Sequence, residues 1–466
     1  MAGPTAAAGN TANPAPAQGQ SAGQAGARAT AAAPRLARVT CPFCSLLCDD
    51  LLPVAGDGSA TQGSGNGAGS GSAGVPTLPA GAGCPKASAG FARSRPAASP
   101  QVAGRDVHLS ESIDAAAAII KAAKLPLYGG LATDVDGMRG LLDLADATGG
   151  VVDHALSAGA FRNISVLQSR GWVMTTLSEV RNRADLVVVV GDGIGGSYPR
   201  FYERIAGTAA SMFGPLERSI VLIGNGADAA LVRAPVTIET IAARPDGLGA
   251  AIAALRGALR GSPVPPGLAN AGLDVAALTA LADRIKAAAY PVIVWSPALL
   301  PEADGDLIVL SICDLVRDLN ATQRAAGLSL AGSEGGATAM AVTAWQIGYP
   351  MRVSLATGIP VYDPQRFDIA AMLARGEGGA LIWTAAIGAG LSPPATTIPT
   401  VAIGTPGLVL SRTPEVYIPV GTPGLDHDGD LVRTDSVVTL HLRGTRTTGL
   451  PSVADVARAL AARLAL

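Results

Sequence analysis

Short apolar runs recur along the chain between about residue 125 and residue 418. They show no polar alternation and are rich in β-branched residues, which is typical of strands covered on both faces. Alanine-rich, helix-like segments such as residues 112–124 separate them, and several runs end in glycine. The runs occupy residues 125–128, 186–190, 220–223, 292–295, 380–383, 401–403 and 416–418. This alternation predicts an α/β fold built from Rossmann-like, doubly wound parallel sheets.

A cysteine motif lies closer to the N-terminus. Four of the five cysteines form the pattern Cys41-x2-Cys44-x3-Cys48, followed later by Cys84. Thiolates at this spacing can converge on one soft metal centre, above all an iron–sulfur cluster or zinc. The alternative is a set of buried structural cysteines, which is the role we expect for the remaining Cys313 in a predicted helix.

Length and composition exclude some classes of function. A chain of 466 residues exceeds one ordinary hydrophobic core, so we expect two to four domains. A net charge of −2 argues against nucleic acid or an anionic membrane as the main partner. No run approaches the length of a membrane span. With 48% hydrophobic and 15% charged residues, the chain suits a subunit of a permanent complex, because such interfaces are apolar.

Composition also divides the chain. Residues 1–38 are rich in Ala, Gly, Pro and Gln and predict a disordered tail. They lack the layout of a secretory signal, so we expect a cytoplasmic location. Residues 39–106 predict a small cysteine subdomain, interrupted by a flexible Gly/Ser insertion at 55–83. Residues 107–466 predict the Rossmann-like domains, and their last helix opens on Ser452 and Asp455, a capping box.

Two glycine-rich loops are candidate nucleotide sites. The first follows the predicted strand at 186–190 and carries Gly191, Gly193 and Gly196, formally a dinucleotide fingerprint. Pro199 interrupts the helix that should follow, and the next strand ends without an acid for a ribose. The loop therefore predicts a tight turn or a pterin-nucleotide-like loop better than an NAD site. The second, residues 330–338, precedes a predicted helix and suits either an anion site or a surface turn.

Several segments resemble the B subunit of formylmethanofuran dehydrogenase, a relative of the molybdopterin-dependent formate dehydrogenases. They are residues 39–51, 127–139, 185–201, 346–350, 374–377 and 417–435. The resemblance is most specific in the first of them and covers most of the chain beyond Arg38. It implies the fold of molybdopterin oxidoreductases and a [4Fe–4S] cluster on the four cysteines. The C-terminal β-barrel of that family is expected to be absent, because no run of closely spaced strands follows Pro419.

The chain departs from the redox family at the metal-ligand position. In that family a separate cysteine or selenocysteine binds molybdenum or tungsten, in a segment resembling residues 129–137. Asp136 falls near that position here, or Asp134 if the match shifts, and the stretch contains no cysteine. A carboxylate is a poor substitute for a soft ligand, so we expect the molybdenum or tungsten pterin to be absent.

The resemblance then implies the bacterial branch of the family, the formyltransferase/hydrolase complex of methylotrophs. This complex works in tetrahydromethanopterin-linked one-carbon metabolism, between formaldehyde and formate. An amidohydrolase-like alpha subunit and other subunits would carry the chemistry, with a methanofuran-like carrier. This chain would be the non-redox beta subunit that supports them. Two alternatives stay open: a redox-active molybdenum- or tungsten-containing dehydrogenase subunit with Asp136 as an unusual ligand, and a zinc-stabilised structural subunit.

Overall fold

The computed structural model describes residues 38–52, 83–93, 98–208, 210–228, 232, 237–263, 267–270 and 272–465. The disordered tail predicted at residues 1–38 and the insertion predicted at 55–83 lie outside these residues, apart from the last residue of each. In the part of the chain described, no helix is long and apolar enough to cross a membrane.

The secondary structure alternates between helices and short strands. The helices are α1 Pro85–Phe91, α2 Leu109–Ala122, α3 Val135–Ala147, α4 Ser157–Arg170, α5 Leu177–Arg183, α6 Ile194–Ser197, α7 Leu248–Leu259, α8 Gly267–Asn270, α9 Val275–Ala287, α10 Gly305–Leu319, α11 Gly336–Ile347, α12 Ile369–Ala374 and α13 Val453–Leu464. A π-helical segment spans Tyr202–Ala206, and short 3-10 turns span Pro245–Gly247 and Pro297–Leu299.

The strands are β1 Gln101–Val102, β2 Arg105–Asp106, β3 Pro126–Ala132, β4 Val151–Val152, β5 Leu186–Val190, β6 Ala210–Ser211, β7 Gly214–Pro215, β8 Ser219–Gly224, β9 Glu239–Ala242, β10 Pro291–Trp295, β11 Ala326–Ser329, β12 Val353–Ser354, β13 Val361–Tyr362, β14 Ala380–Ala385, β15 Thr400–Gly404, β16 Val416–Pro419, β17 Gly429–Val432 and β18 Thr439–Leu442.

The larger sheet has the strand order β13-β12-β4-β3-β14-β15-β16-β1-β2. Its five central strands are parallel, and the two strands at each edge are antiparallel. The helices α2, α3 and α13 cover one face, where Tyr128, Met138, Leu141, Ile382 and Leu460 share a core. The central strands are buried on both faces, which explains their continuous apolar sequence.

The smaller sheet is wholly parallel, with the order β11-β10-β5-β8-β9. Alternate residues of each strand point to opposite faces. On one face Val188 and Ile223 pack with α7, α9 and α10. On the other face Val189 and Leu222 pack with residues of the cysteine segment and of α1. The predicted cysteine subdomain therefore shares its core with this sheet in the described residues.

The predicted α/β class with parallel sheets is confirmed, and each of the seven predicted runs overlaps a strand. The capping box of α13 is also present, because the Ser452 hydroxyl and the Asp455 carboxylate each accept a hydrogen bond from the other's backbone N–H. Cys313 is buried in α10 as predicted. The two-residue edge strands were missed, since so short a segment carries no periodic signal. A hairpin, β17 and β18, follows Pro419.

A single arginine, Arg218, links the end of α5 to the end of the π-helical segment. The Arg218 guanidinium donates to six carbonyl oxygens at 2.6–3.2 Å, three of them at or near the end of α5 and three in or just after the π-helical segment. The Val180 carbonyl also accepts the Ala184 N–H, whereas the other five lie at or beyond a helix end, so one side chain supplies donors to both helix ends.

We expect Arg218→Lys to lower the free energy of unfolding by at least about 2 kcal/mol. An ammonium cannot reach all six acceptors, and each buried acceptor left without a donor costs roughly 1–3 kcal/mol. Chemical denaturation measures the change. Arg170→Lys at the exposed end of α4 is the matched control and should be nearly neutral. An unchanged free energy of unfolding in Arg218→Lys would show that the several N–H donors of the guanidinium are not needed.

Candidate metal centre

The first three cysteines meet in a tight hairpin-like loop. The Cys41 N–H donates to the Cys48 carbonyl at 2.8 Å, and the Leu47 N–H donates to the Cys44 carbonyl at 3.1 Å. Leu47 takes a left-handed conformation at φ 47°, which lets the chain double back. Cys84 joins them as the residue preceding α1. The structure thus brings all four predicted ligands to one small cavity, about 10 Å³ in volume, and all four are buried thiols without a disulfide.

Backbone amides point at three of the four sulfurs. The Phe43 N–H donates to the Cys41 sulfur and the Leu46 N–H to the Cys44 sulfur. The Ala87 N–H donates to the Cys84 Sγ at 3.5 Å. Hydrogen bonds to a charged acceptor favour the charged form. This arrangement suits thiolates bound to a metal centre.

Burial opposes the ionisation of three of the four thiols. Burial and the neighbouring Cys44 raise the pKa of Cys41 well above its usual value. Burial and Cys48 raise the pKa of Cys44 to about 12. Burial also raises the pKa of Cys48, although Arg204 and Arg200 oppose that rise. A metal must therefore displace protons to bind, as soft metals do at thiolate sites.

The donor chemistry fits zinc or an iron–sulfur cluster. In the described part of the chain, no three His, Cys, Asp or Glu side chains lie close enough together to coordinate one ion as they stand. The cavity, at about 10 Å³, has room for about one water molecule. Either occupant therefore requires the thiol side chains to move.

Two arginines stand beside this cavity. Arg200 lines it with the four cysteines, and its side chain is only 3% exposed. Its guanidinium makes two parallel hydrogen bonds to the Asp50 carboxylate, at 2.6 and 2.8 Å. Arg204 pairs with Asp49 and lies 3.5 Å from Asp50. Sequence reasoning missed both arginines, although their spacing of four residues and the acidic pair after Cys48 were available signals.

The first glycine-rich loop already has a carboxylate at its amide. Gly191 and Gly193 take left-handed conformations after β5. The Gly193 N–H donates at 2.9 Å to Asp228, a fully buried residue that also accepts the Tyr202 hydroxyl at 2.8 Å. Gly196 lies exposed in α6, which ends before Pro199. A nucleotide phosphate would accept a hydrogen bond from the Gly193 N–H, but the Asp228 carboxylate already accepts it.

The residues at the end of β3 divide between interior and solvent. Asp136 lies in the first turn of α3, with its side chain 72% exposed and 3.9 Å from Arg139. Asp134 is buried and caps α3, accepting the Gly137 N–H and the Thr133 hydroxyl at 3.1 Å. Its pKa is raised by burial. The carboxylate that faces the interior is therefore that of Asp134, and Asp136 faces solvent.

The second glycine-rich loop, residues 330–335, is the crossing loop between β11 and α11. Its backbone receives polar partners from three directions. The Ser45 hydroxyl donates to the Ala331 carbonyl at 2.6 Å, and the Ala331 N–H donates to the Thr434 hydroxyl at 2.9 Å. His154, which burial keeps neutral by lowering its pKa to about 4, bonds the Glu334 carbonyl at 3.0 Å. The crossing loop is thus a partly buried junction and not a surface turn.

Two cavities flank the crossing loop. One, of about 250 Å³, is lined by polar side chains that include Lys86, His154, Tyr198 and Glu334. Burial raises the pKa of Glu334, and one of its carboxylate oxygens is buried without a hydrogen-bond partner among the described residues. Of these four residues only Glu334 belongs to a candidate site in the sequence, the loop 330–338, because the others come from separate segments that only the fold brings together.

The other cavity, of about 580 Å³, falls within the range of ordinary ligand sites. Its lining is mainly apolar and includes Trp172, Met174, Met340 and Trp345. The described residues that line it include no lysine or arginine, and its one acid, Asp435, is paired with Arg433. It therefore offers no cation for the phosphates of a pterin dinucleotide.

Comparisons with known proteins give consistent results. No family model matches the chain. It is 29% identical to the B subunit of the formyltransferase/hydrolase complex Fhc of Methylorubrum extorquens over 370 residues, 78% of this chain and 96% of that protein. It is 23% identical to the B subunit of tungsten-containing formylmethanofuran dehydrogenase 2 of Methanocaldococcus jannaschii, over 72% of this chain and 78% of that protein.

Solved structures give the same picture. A chain of the formyltransferase/hydrolase complex FhcABCD of Methylorubrum extorquens, solved with methylofuran, matches with a TM-score of 0.66 and 27% identity. The match covers 79% of this chain and 99% of that chain. Acetylene hydratase of Pelobacter acetylenicus matches in fold alone, with a TM-score of 0.58 and 11% identity, over 92% of this chain and 69% of that chain.

We expect the double variant Cys44→Ser/Cys48→Ser to lose most of the metal that the anaerobically purified chain holds, because it removes two of four thiolate donors. Metal analysis by mass spectrometry measures the loss. Cys313→Ser, which changes the one cysteine outside the motif, is the control and should keep the wild-type metal content. Equal metal content in both variants would exclude the four-cysteine site.

Proposed function

Because the chain is a homologue of the B subunits of the formyltransferase/hydrolase complex and of formylmethanofuran dehydrogenase, we propose that it is the beta subunit of a formyltransferase/hydrolase complex. The observation that carries the proposal is the match over almost the whole length of the Methylorubrum protein, in both sequence and fold. The complex would act in tetrahydromethanopterin-linked one-carbon metabolism, between formaldehyde and formate, with a methanofuran-like carrier.

In this proposal the chain supports catalysis by its partners and carries no redox reaction of its own. Three features support that role. The end of β3 offers carboxylates where a molybdenum or tungsten centre needs a soft ligand. The amide of Gly193 is occupied by Asp228. The larger cavity provides no cation for phosphate in the described residues. These residues do not fit a metal-bound pterin dinucleotide.

The catalytic groups would then belong to an amidohydrolase-like alpha subunit and to the other subunits. Several large apolar side chains are exposed and suit burial against such partners. Met212 and Phe213 at the β6–β7 turn are 83% and 69% exposed, and Trp345 at the end of α11 is 64% exposed. We place the complex in the cytoplasm, without nucleic acid or membrane partners.

The second candidate is a redox-active dehydrogenase subunit that holds molybdenum or tungsten. The complete set of four buried cysteines, with amides aimed at their sulfurs, favours it, because a chain that moves no electrons has little need of a cluster. A zinc-stabilised structural protein would use the same four thiolates for folding alone.

Purification of the tagged chain from its own cells, without oxygen, tests the proposal. We expect the chain to co-purify with formyltransferase and hydrolase subunits, in a preparation that hydrolyses the formylated carrier and holds no stoichiometric molybdenum or tungsten. One tungsten or molybdenum per chain, together with reduction of a redox dye that depends on the formylated carrier, would establish the second candidate in its place.

Asp136 separates the same two candidates by mutation. We expect Asp136→Ala to leave both the metal content and the hydrolase activity of the complex unchanged, because its carboxylate faces solvent. Asp146→Ala, on the exposed side of the same helix, is the matched control. Loss of a bound metal in the Asp136 variant alone would identify that residue as a ligand.

A further inference from the structure

One wall of the cysteine cavity belongs to a network of ion pairs, in which Arg200 and Arg204 bind three carboxylates, and this network is more firmly held than a surface ion pair. Four of the five N–H donors of the Arg200 guanidinium are engaged: two bond Asp50, and two bond Glu203 at 2.9 and 3.4 Å. The side chain is almost fully buried beside the thiols. Burying a guanidinium carries a large desolvation cost, so its carboxylate partners are needed to hold it there.

The backbone of this wall is irregular. The Arg204 N–H donates to the Arg200 carbonyl in an α-helical pattern, which places the two side chains on one side. The Gly207 N–H instead donates to the Tyr202 carbonyl, five residues back, and closes the π-helical segment. Such single π-turns are uncommon and concentrate at functional sites. This one lies beside the cysteine cavity, and its residues Tyr202, Ile205 and Ala206 share a core with the four cysteines.

The acidic pair belongs to the metal motif itself. Asp49 and Asp50 follow Cys48 directly in the chain and bind Arg204 and Arg200 respectively. The ion pairs therefore fix the arginines to the loop that carries three of the four thiols. Arg200 lines the cavity with the thiols, and at Cys48 each of the two arginines lowers the pKa by more than Asp50 raises it, so the cationic side of these ion pairs acts on the thiols through a poorly solvated interior.

Charge balance gives the arginines a role. Four thiolates around a zinc ion, or around an oxidised [4Fe–4S] core, carry roughly two units of net negative charge in either case, and burial of that charge is unfavourable without nearby cations. We propose that Arg200 and Arg204 are the charge-balancing residues of the four-cysteine centre. They stabilise its thiolate form, set its affinity for metal and, with a cluster bound, hold its reduction potential up.

This role is independent of membership in a formyltransferase/hydrolase complex, because it concerns one buried site within the chain. It also differs from a purely structural role. A structural ion pair would stabilise the metal-free chain as much as the loaded one, whereas charge-balancing residues act selectively on the loaded form.

The test compares variants within the purified complex. Lys86, which also lines the cysteine cavity, is unchanged in all of them. The variants are Arg200→Gln, Arg204→Gln and Arg200→Lys. Arg256→Gln is the matched control, because Arg256 is also a mostly buried arginine paired with two aspartates, Asp314 and Asp318, far from the cysteines in the sequence. The centre is stripped with a chelator and then reloaded either with zinc, against a chromophoric competitor, or with iron and sulfide under anaerobic conditions.

We expect each Gln variant to bind zinc roughly 10- to 100-fold more weakly than the wild type, as is usual when a group that supports metal ligands is removed. If iron and sulfide form the centre, its midpoint potential should become more negative in the Gln variants, since loss of a cation disfavours the more negative reduced state. Arg200→Lys should fall between the wild type and Arg200→Gln, because it keeps the charge and loses the fork. The control should match the wild type in both arms.

Three results would overturn the proposal. In the first, the Gln variants bind zinc and iron as the wild type does. In the second, their affinity falls no more than the thermal stability of the metal-free chain explains, as judged against Arg256→Gln. In the third, the wild type takes up neither metal. Arg204→Gln keeps the test decisive if Arg200→Gln does not fold, because the Arg204 side chain is 19% exposed. Co-purification of the partner subunits is scored separately, so failure of the proposed complex is recognised independently.

Discussion

The crossing loop between β11 and α11 is the junction on which the arrangement of the site depends. A buried loop leaves backbone N–H and C=O groups without partners in a strand or helix, and such groups must be satisfied elsewhere. Here Ser45, Thr434 and His154 supply those partners, one from the cysteine segment and two from segments outside the smaller sheet. The cysteine loop and the carboxyl ends of both sheets are consequently held against one another by the same few hydrogen bonds.

The sequence was sufficient for the parts of the fold that carry a strong periodic or local signal. Buried parallel strands such as β5 are apolar throughout, and the α13 capping box is a two-residue motif, so both could be predicted. The four-cysteine arrangement could also be predicted, because three of its members lie within one tight loop. The role of Arg200 was missed, because the acidic pair after Cys48 and the spacing of the two arginines do not by themselves show that Asp50 and Arg200 pair across 150 residues.

The placement of Asp136 and Asp134 shows a different limit. Two residues apart in sequence, they differ completely in exposure, because one caps α3 from inside and the other begins its solvent face. A resemblance between sequences does not show which of the two residues faces the interior. The cysteine motif and the end of β3 also differ in the donors that they offer. The four cysteines provide soft sulfur donors, whereas the end of β3 provides only oxygen donors.

The hydrogen bond from the Gly193 amide to Asp228 has a consequence for nucleotide binding. Asp228 is held from its other side by the Tyr202 hydroxyl, so its carboxylate is a fixed internal substitute for an anionic ligand. Removing the acid alone would leave a partly buried amide and a buried hydroxyl without this partner, and a nucleotide alone would meet an occupied and negatively charged loop. Neither single step is favourable. Binding of a nucleotide phosphate at this loop would therefore require at least two changes at once.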